Sequence, residues 1–287
     1  MNLYDIFTGL LKAFPLPEEK QDTVHFSFEF NHPKYELLKN KYPILDIAGS
    51  GNDFSKVANL MHWISGNIYH KGDYSGSIAA NAIDYLDHAF GKDASHGINC
   101  VALSTILSDC LLSIGIKARK VFIMPCSPYD GDNHVVAQAY IKEMDKWVMF
   151  DPTLNAYLHN EKGEYLSLLE LRSHLADQSP VFFNKQAKYN DDAWTEESAK
   201  SNIEYLAKNL FYFQMSEINT FNEEDDSTGT VKNRFITLCP KGFNPKQTRI
   251  NNVEYRRRQY GEQPWMIQVL EYEKSAKYYF CASTDFE

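Results

Sequence analysis

The chain has 287 residues, of which 44% are hydrophobic, enough for one large globular domain or two smaller ones. Its 29 basic and 38 acidic residues give a formal net charge of −9, which argues against binding nucleic acid or an anionic membrane through a basic surface. Five scattered cysteines predict reduced thiols and argue against a disulfide framework, and without a Cys-x-x-Cys pair they do not indicate a structural zinc site.

The N-terminal residues resemble a signal peptide only weakly, because Asp5 and Lys12 interrupt their apolar positions. We expect an amphipathic helix that ends near Pro15. No apolar run approaches the ~18 residues that a membrane span needs. A cytoplasmic location is therefore expected.

The next elements are identified by their hydrophobic periodicity. Residues 24–30 alternate between apolar and polar side chains, which predicts a half-buried strand. Residues 33–40 predict a short helix. Apolar residues then recur at spacings of three and four over residues 54–69 and again over residues 78–90, which predicts two amphipathic helices.

Cys100 stands at the start of the most apolar helical pattern in the chain. A turn with Gly97 and Asn99 precedes this pattern, which covers residues 100–114 and ends at Gly115. The sulfur is therefore expected at a helix N-terminus, where the partial positive charge of the first N–H groups favours a thiolate. Taken alone, a cysteine in an apolar helix is more often a small buried hydrophobe.

Three strands are predicted next, over residues 116–124, 133–141 and 146–151. His134 lies near the start of the second strand and Asp151 at the end of the third. Because strand side chains repeat every two residues, a hairpin between these strands would bring both polar groups to one end of the sheet. A thiolate needs a general base beside it, and the base needs an acceptor that fixes its orientation, so Cys100, His134 and Asp151 form a candidate triad.

The C-terminal half has weaker patterns. Residues 166–175 and 196–213 predict helices, and the acidic run 222–229 predicts a linker or an exposed loop. Residues 231–280 read as a β-rich extension, with strands predicted at 235–239, 265–272 and 278–281. The Arg256-Arg257-Arg258 run is a candidate for binding an anion, but solvated charge on a strand or turn surface is the favoured interpretation.

Two segments resemble the transglutaminase-like superfamily. GINCVALSTILSDCLLSIGIKARKV is similar to the turn, nucleophile helix and first strand of that family, and NHVVAQAYI with DKWVMFDPT is similar to its histidine and aspartate strands. The resemblance covers about residues 54–155. It implies a nucleophilic Cys100, a basic His134 and an orienting Asp151.

The resemblance does not assign the hydrogen-bond donors of the oxyanion hole. In the family a glycine usually lies two residues before the cysteine, whereas Gly97 lies three residues before it. The backbone N–H of Cys100 is the first candidate donor. The candidates for the second donor are the side chains of Asn99, Trp63 and Tyr69. His96, just before the nucleophile, either lines the cleft or caps the helix.

The sequence therefore predicts an α+β, papain-like and transglutaminase-like fold, in which a cysteine-bearing helix packs on an antiparallel sheet carrying the histidine and aspartate. We expect an N-terminal segment (residues 1–53), this core (54–190), and a helix with a β-rich extension (191–287). No cofactor is predicted.

The predicted chemistry is acyl transfer on a peptide or carboxamide through a thioester, with hydrolysis favoured because water is always present. Amine cross-linking of a glutamine side chain is the enzymatic alternative. A non-catalytic module that binds a peptide or protein is the competing class, since a fold does not fix a function. A metal site built from the three triad residues is a poorer option, because no fourth ligand has suitable spacing. A peptide or protein substrate is expected, without nucleic acid or membrane, and the sequence does not indicate an oligomeric state.

Overall fold

The structure, a computed structural model, describes residues 2–74, 81–221 and 232–287. The helices are α1 (Leu3–Ala13), α2 (Pro33–Lys41), α3 (Ile44–Ala48), α4 (Asp53–Asn67), α5 (Ala82–Ala89), α6 (Cys100–Ser113), α7 (Leu168–Ala176), α8 (Glu196–Asn209), α9 (Pro245–Tyr260), α10 (Pro264–Ser275) and α11 (Ser283–Phe286). The strands are β1 (Ser27–Phe28), β2 (Ala118–Met124), β3 (His134–Ile141), β4 (Lys146–Phe150), β5 (Leu158–His159), β6 (Phe182–Phe183), β7 (Tyr212–Ser216), β8 (Ile218–Asn219), β9 (Phe235–Leu238) and β10 (Tyr279–Phe280).

Helix α6 is buried over nearly its whole length. Every residue from Ala102 to Ser113 is buried, which explains why the helix lacks a polar face. Gly115 follows the helix with a φ of +83°, a left-handed conformation that glycine adopts without strain. The hydroxyl of Ser104 donates to the carbonyl of Val135 at 3.0 Å and ties the helix to β3. Only the first residues of α6, including Cys100, remain partly accessible.

A six-stranded sheet with the order β10-β9-β7-β2-β3-β4 lies beside this helix. Strands β2, β3 and β4 are antiparallel neighbours, and Gln138 pairs with Met149 across the β3–β4 hairpin. The faces of His134 and Asp151 therefore coincide, as the alternation predicts. The expected α+β arrangement, with the cysteine helix packed on an antiparallel sheet, is confirmed.

Apolar side chains cover both faces of the sheet. Ala137 and Phe150 belong to a core with helices α4, α5 and α6, whereas Val136 and Met149 belong to a second core with α1, α7 and α8. These helices and the sheet thus form three layers. Among the described residues, no helix combines the length and the apolarity that crossing a membrane requires.

The C-terminal region differs from the β-rich extension that the sequence indicates. Strands β9 and β10 lie where strands are expected, and with β7 they extend the sheet that carries His134. The expected strand at residues 265–272 is wrong, because these residues form α10. Their aromatic and β-branched composition is typical of strands, but Met266 and Glu273, seven residues apart, lie buried on one helical face.

Three further expectations need comment. The arginine run 256–258 lies in α9 and not on a strand or turn. In the expected strand 24–30, only Ser27–Phe28 pairs, in parallel with β8. The predicted acidic loop at 222–229 and the first residues of the helix expected at 78–90 lie outside the described residues.

Candidate functional site

Cys100 is the first residue of α6, and Asn99 caps the helix. The side-chain oxygen of Asn99 accepts the backbone N–H of Ala102 at 3.1 Å, and its amide nitrogen donates to the carbonyl of Tyr74 at 3.1 Å. These bonds fix the turn before the cysteine. Because Cys100 begins α6, its thiol lies at the helix N-terminus, where the first N–H groups favour negative charge.

His134 and Asp151 are joined by a short hydrogen bond. The distance from His134 Nε2 to Asp151 Oδ2 is 2.7 Å, and both side chains are almost fully buried. The other carboxylate oxygen of Asp151 accepts the backbone N–H of Thr153 at 2.9 Å. The backbone of Asp151 forms a bridge with Ala156, through hydrogen bonds of 2.7 and 3.0 Å. Asp151 is therefore held in place by its own strand end while it is hydrogen-bonded to the imidazole.

The electrostatics of the site favour a thiolate and an imidazolium. Burial raises the pKa of the Cys100 thiol, but hydrogen bonds and positive charge from His134 and His70 outweigh it and bring that pKa to about 6. Burial lowers the pKa of His134, but the charge and hydrogen bond of Asp151, with those of Cys100, hold this pKa well above its usual value. Each group stabilises the charged form of the other.

The other four cysteines have the opposite tendency. Burial raises the pKa of Cys126, and it raises that of Cys110 well above the ordinary value. Burial also brings the pKa of Cys239 and of Cys281 to about 12. Of the five thiols, Cys100 alone is expected to be charged near neutral pH.

His70 is a second imidazole at the thiol that the sequence reasoning missed. Its backbone bridges to Ile98, two residues before Cys100, and its backbone N–H donates to the side chain of Asn190 at 2.7 Å. Its Nδ1 lies 3.0 Å from the hydroxyl of Tyr189. Its Nε2 is buried without a hydrogen-bond partner among the described residues, and its side chain contributes to lowering the pKa of the Cys100 thiol. No local pattern marks His70, since it lies in a turn 30 residues upstream.

Tyr205 of α8 is a further neighbour that the sequence did not identify. Its ring centroid lies 5.7 Å from that of His134, and its hydroxyl donates to the carbonyl of Asn133 at 3.1 Å. Burial raises the pKa of Tyr205, and the charges of Cys100 and Asp151 contribute to the same shift. A neutral tyrosine therefore packs against the His134 ring from the side of α8.

Trp63 and Tyr69, two of the candidate oxyanion donors, make contacts that support the structure around them. The ring of Trp63 packs against Tyr42 and Phe90, with centroids 6.3 and 5.5 Å away. The carbonyl of Tyr69 accepts the N–H of Ile98 at 3.0 Å, so Tyr69 supports the turn that leads to the cysteine.

His96 lies on the surface, with 54% of its side chain exposed. Its Nδ1 is 3.2 Å from the Asp93 carboxylate, and its ring contacts His88. Within the described residues, no group of three or more His, Cys, Asp and Glu side chains has an arrangement that could hold a metal ion.

A family comparison agrees with this geometry. Residues 45–152 match the model of the transglutaminase-like superfamily. This segment is a transglutaminase-like core. It contains α6 and the β2–β3–β4 sheet, and therefore all three residues of the candidate triad. The core has the fold of a cysteine-based catalytic site.

Two other comparisons were made. One solved structure, named "a Putative Cysteine Protease from Cytophaga hutchinsonii", is 17% identical, with a TM-score of 0.34. The match covers 59% of this chain and 55% of that one, so the chain spans about half the length of that structure. No curated protein matches the chain.

Proposed function

We propose that the protein is a cysteine-dependent enzyme that cleaves or transfers the acyl group of a peptide or carboxamide bond. The observation that carries this proposal is the Cys100 thiol, whose pKa lies near 6 beside a His134 that is hydrogen-bonded to Asp151 at 2.7 Å. A thiolate near neutral pH is the species that attacks carbonyl carbon. A buried structural cysteine does not need this arrangement.

In the proposed reaction, the Cys100 thiolate attacks the carbonyl carbon and forms a C–S bond. His134 uses Nε2 for Asp151, so Nδ1 is left to protonate the leaving amine as the C–N bond breaks. The product is an acyl-thioester on Cys100. In hydrolysis, His134 then takes a proton from a water molecule, which attacks the thioester and releases the acid and the thiolate.

Negative charge on the carbonyl oxygen needs hydrogen-bond donors in the transition state. The backbone N–H of Cys100 at the start of α6 is one donor in this proposal. His70 is the other, because the Tyr189 hydroxyl occupies Nδ1, so the buried Nε2 is the ring nitrogen left to donate, and the side chain interacts with the thiol. This assignment replaces Asn99, Trp63 and Tyr69 as the favoured second donor.

The partner in the proposal is a peptide or protein, attacked at a backbone amide or at a glutamine carboxamide. Hydrolysis is favoured because water needs no binding site. Cross-linking follows the same path to the thioester, after which a primary amine replaces water. The acceptor is therefore what separates the two activities.

The test is an activity screen with glutamine-containing peptides, with and without an added primary amine, read by mass spectrometry. Without the amine, we expect cleaved or deamidated peptides. The Cys100→Ala variant should form neither product, whereas the matched Cys126→Ala variant should form them as the wild type does. Amine-linked products in preference to hydrolysis would assign cross-linking. Binding of peptides without any product, by wild type and Cys100→Ala alike, would identify a binding module and contradict the proposal.

A further inference from the structure

A cavity of about 280 Å³ is lined by the chain neighbours of two triad residues. One wall contains Val101, which follows the nucleophile, and Asn133, which precedes His134. The lining also contains Arg256 of α9 and Trp265 of α10. Both helices follow the segment that matches the family, which ends at residue 152. Residues outside the matched segment thus line a cavity that also contacts the chain neighbours of Cys100 and His134.

The cavity is held open by contacts between α9 and the loop before His134. The amide nitrogen of Asn252 donates to the carbonyls of Pro128 and Asp130 at 2.9 and 3.1 Å. The rings of Tyr129 and Tyr255 are in edge contact at 5.2 Å. These contacts fix α9 to the loop, so a ligand in the cavity does not have to order this wall.

Most charged groups at the cavity already have partners. Arg249 Nε lies 2.9 Å from the carboxylate of Glu273, which is almost fully buried. Lys208 lies 2.9 Å from Asp130 and 3.6 Å from Asp132. These ion pairs occupy both cations, so neither Arg249 nor Lys208 is free to bind a carboxylate.

Arg256 differs from these cations in its partner, which is an aromatic ring and not a carboxylate. Its guanidinium lies over the ring of Trp265, 5.0 Å from the centroid, and against the backbone of Gly131. Of the residues that the structure describes, none provides a carboxylate within 4.0 Å of this guanidinium. Stacking on an aromatic ring uses the face of the guanidinium and leaves its edge N–H groups available for a planar acceptor.

We propose that this cavity is a substrate subsite for a carboxylate, which Arg256 binds through paired N–H···O hydrogen bonds. The proposal rests on the proposed function, since it assigns the substrate residue that flanks the bond attacked by Cys100. The volume is below that of a drug-sized site, which restricts the occupant to about one residue. The carboxylate comes either from an acidic side chain or from the C-terminus of a peptide.

The test uses the Cys100→Ala protein, so that no reaction intervenes, and the NMR signals of the four tryptophan indole N–H groups. A Trp265→Phe variant assigns the signal of Trp265. The titrants are acetyl-Gly-Glu-Gly-amide, acetyl-Gly-Gln-Gly-amide, and acetyl-Gly-Gln-Gly with a free C-terminus. We expect one of the two carboxylate peptides to shift the Trp265 signal with about tenfold higher affinity than the neutral peptide. Which of them does so identifies the source of the carboxylate.

The matched variants are Arg256→Met and Arg257→Met. Arg257 follows in the same helix but pairs with Glu254 and Glu262, at 3.1 and 3.5 Å. Arg256→Met should abolish the tenfold preference and Arg257→Met should keep it. Equal binding of all three peptides, or a preference that survives Arg256→Met, would overturn the subsite. A preference without any turnover by wild type would instead leave the subsite and contradict the proposed function.

Discussion

Replacing Asp151 by asparagine should raise the pKa of the Cys100 thiol, and so lower its thiolate fraction, without unfolding the protein. Asparagine keeps an oxygen for the backbone N–H of Thr153, but it places an amide N–H where the carboxylate accepts from His134 Nε2. The imidazole is then held as a neutral tautomer, and Cys100 loses its cationic partner. Its pKa should rise from about 6 toward the ordinary ~8.5.

The expected size of this effect follows from the two pKa values. Near the wild-type pKa of about 6, half of Cys100 is thiolate, whereas a thiol with a pKa of ~8.5 is ionised to only ~0.3%. That is a loss of ~150-fold in thiolate. A more basic thiolate is intrinsically more reactive, by about tenfold over this range, which leaves alkylation about tenfold slower.

The assay is the rate of iodoacetamide labelling of Cys100 against pH, followed by peptide mass spectrometry. With a pKa of about 6, Cys100 is a thiolate above that pH and a neutral thiol below it. The labelling rate of the wild type should therefore fall only as the pH drops through about 6. Asp145→Asn, at the turn of the same hairpin, is the matched control and should leave the profile unchanged. An identical midpoint for Asp151→Asn, in a protein with an unchanged melting curve, would refute the orienting role of Asp151.

Three further substitutions test other parts of the structure. His70→Phe removes a proposed oxyanion donor and should slow acylation of Cys100 by about 100-fold while the melting temperature is retained. An unchanged acylation rate would contradict that role of His70. Gly97→Ala should destabilise the turn before Cys100 by about 1–3 kcal/mol in urea unfolding, since an added Cβ would lie 2.8 Å from a side-chain carbon and 3.0 Å from a carbonyl oxygen. Leu107→Ala in α6 should cost about 2–5 kcal/mol, whereas the half-exposed Leu37→Ala should cost under ~1 kcal/mol; equal losses would argue against α6 as the buried core helix.

The elements that carry the triad were predictable because their signals are local. Gly97 and Asn99 form a turn directly before an apolar helical run, and the two strands alternate over a short hairpin. A register error of one residue would turn His134 to the other face, so the alternation restricts the pairing strongly. The helix start and the strand end then fix where the sulfur and the carboxylate lie.

The remainder of the site depends on contacts between distant segments. His70 reaches the thiol through its bridge to Ile98, and Tyr189 and Tyr205 approach from residues far downstream. No periodicity links these positions. The wall with Arg256 was not predictable either, because the apolar and aromatic residues of α10 read as a strand until their burial is known.

The central claim is that Cys100 accepts an acyl group as a thiolate. The most direct measurement is its acetylation by p-nitrophenyl acetate against pH, with the modified residue identified by mass spectrometry. We expect a burst of one acetyl group per chain, on Cys100 and not on the other four cysteines, with a rate that rises through a midpoint near pH 6. Acetylation spread over several cysteines, or reaction of Cys100 only above about pH 8 like an ordinary thiol, would contradict it.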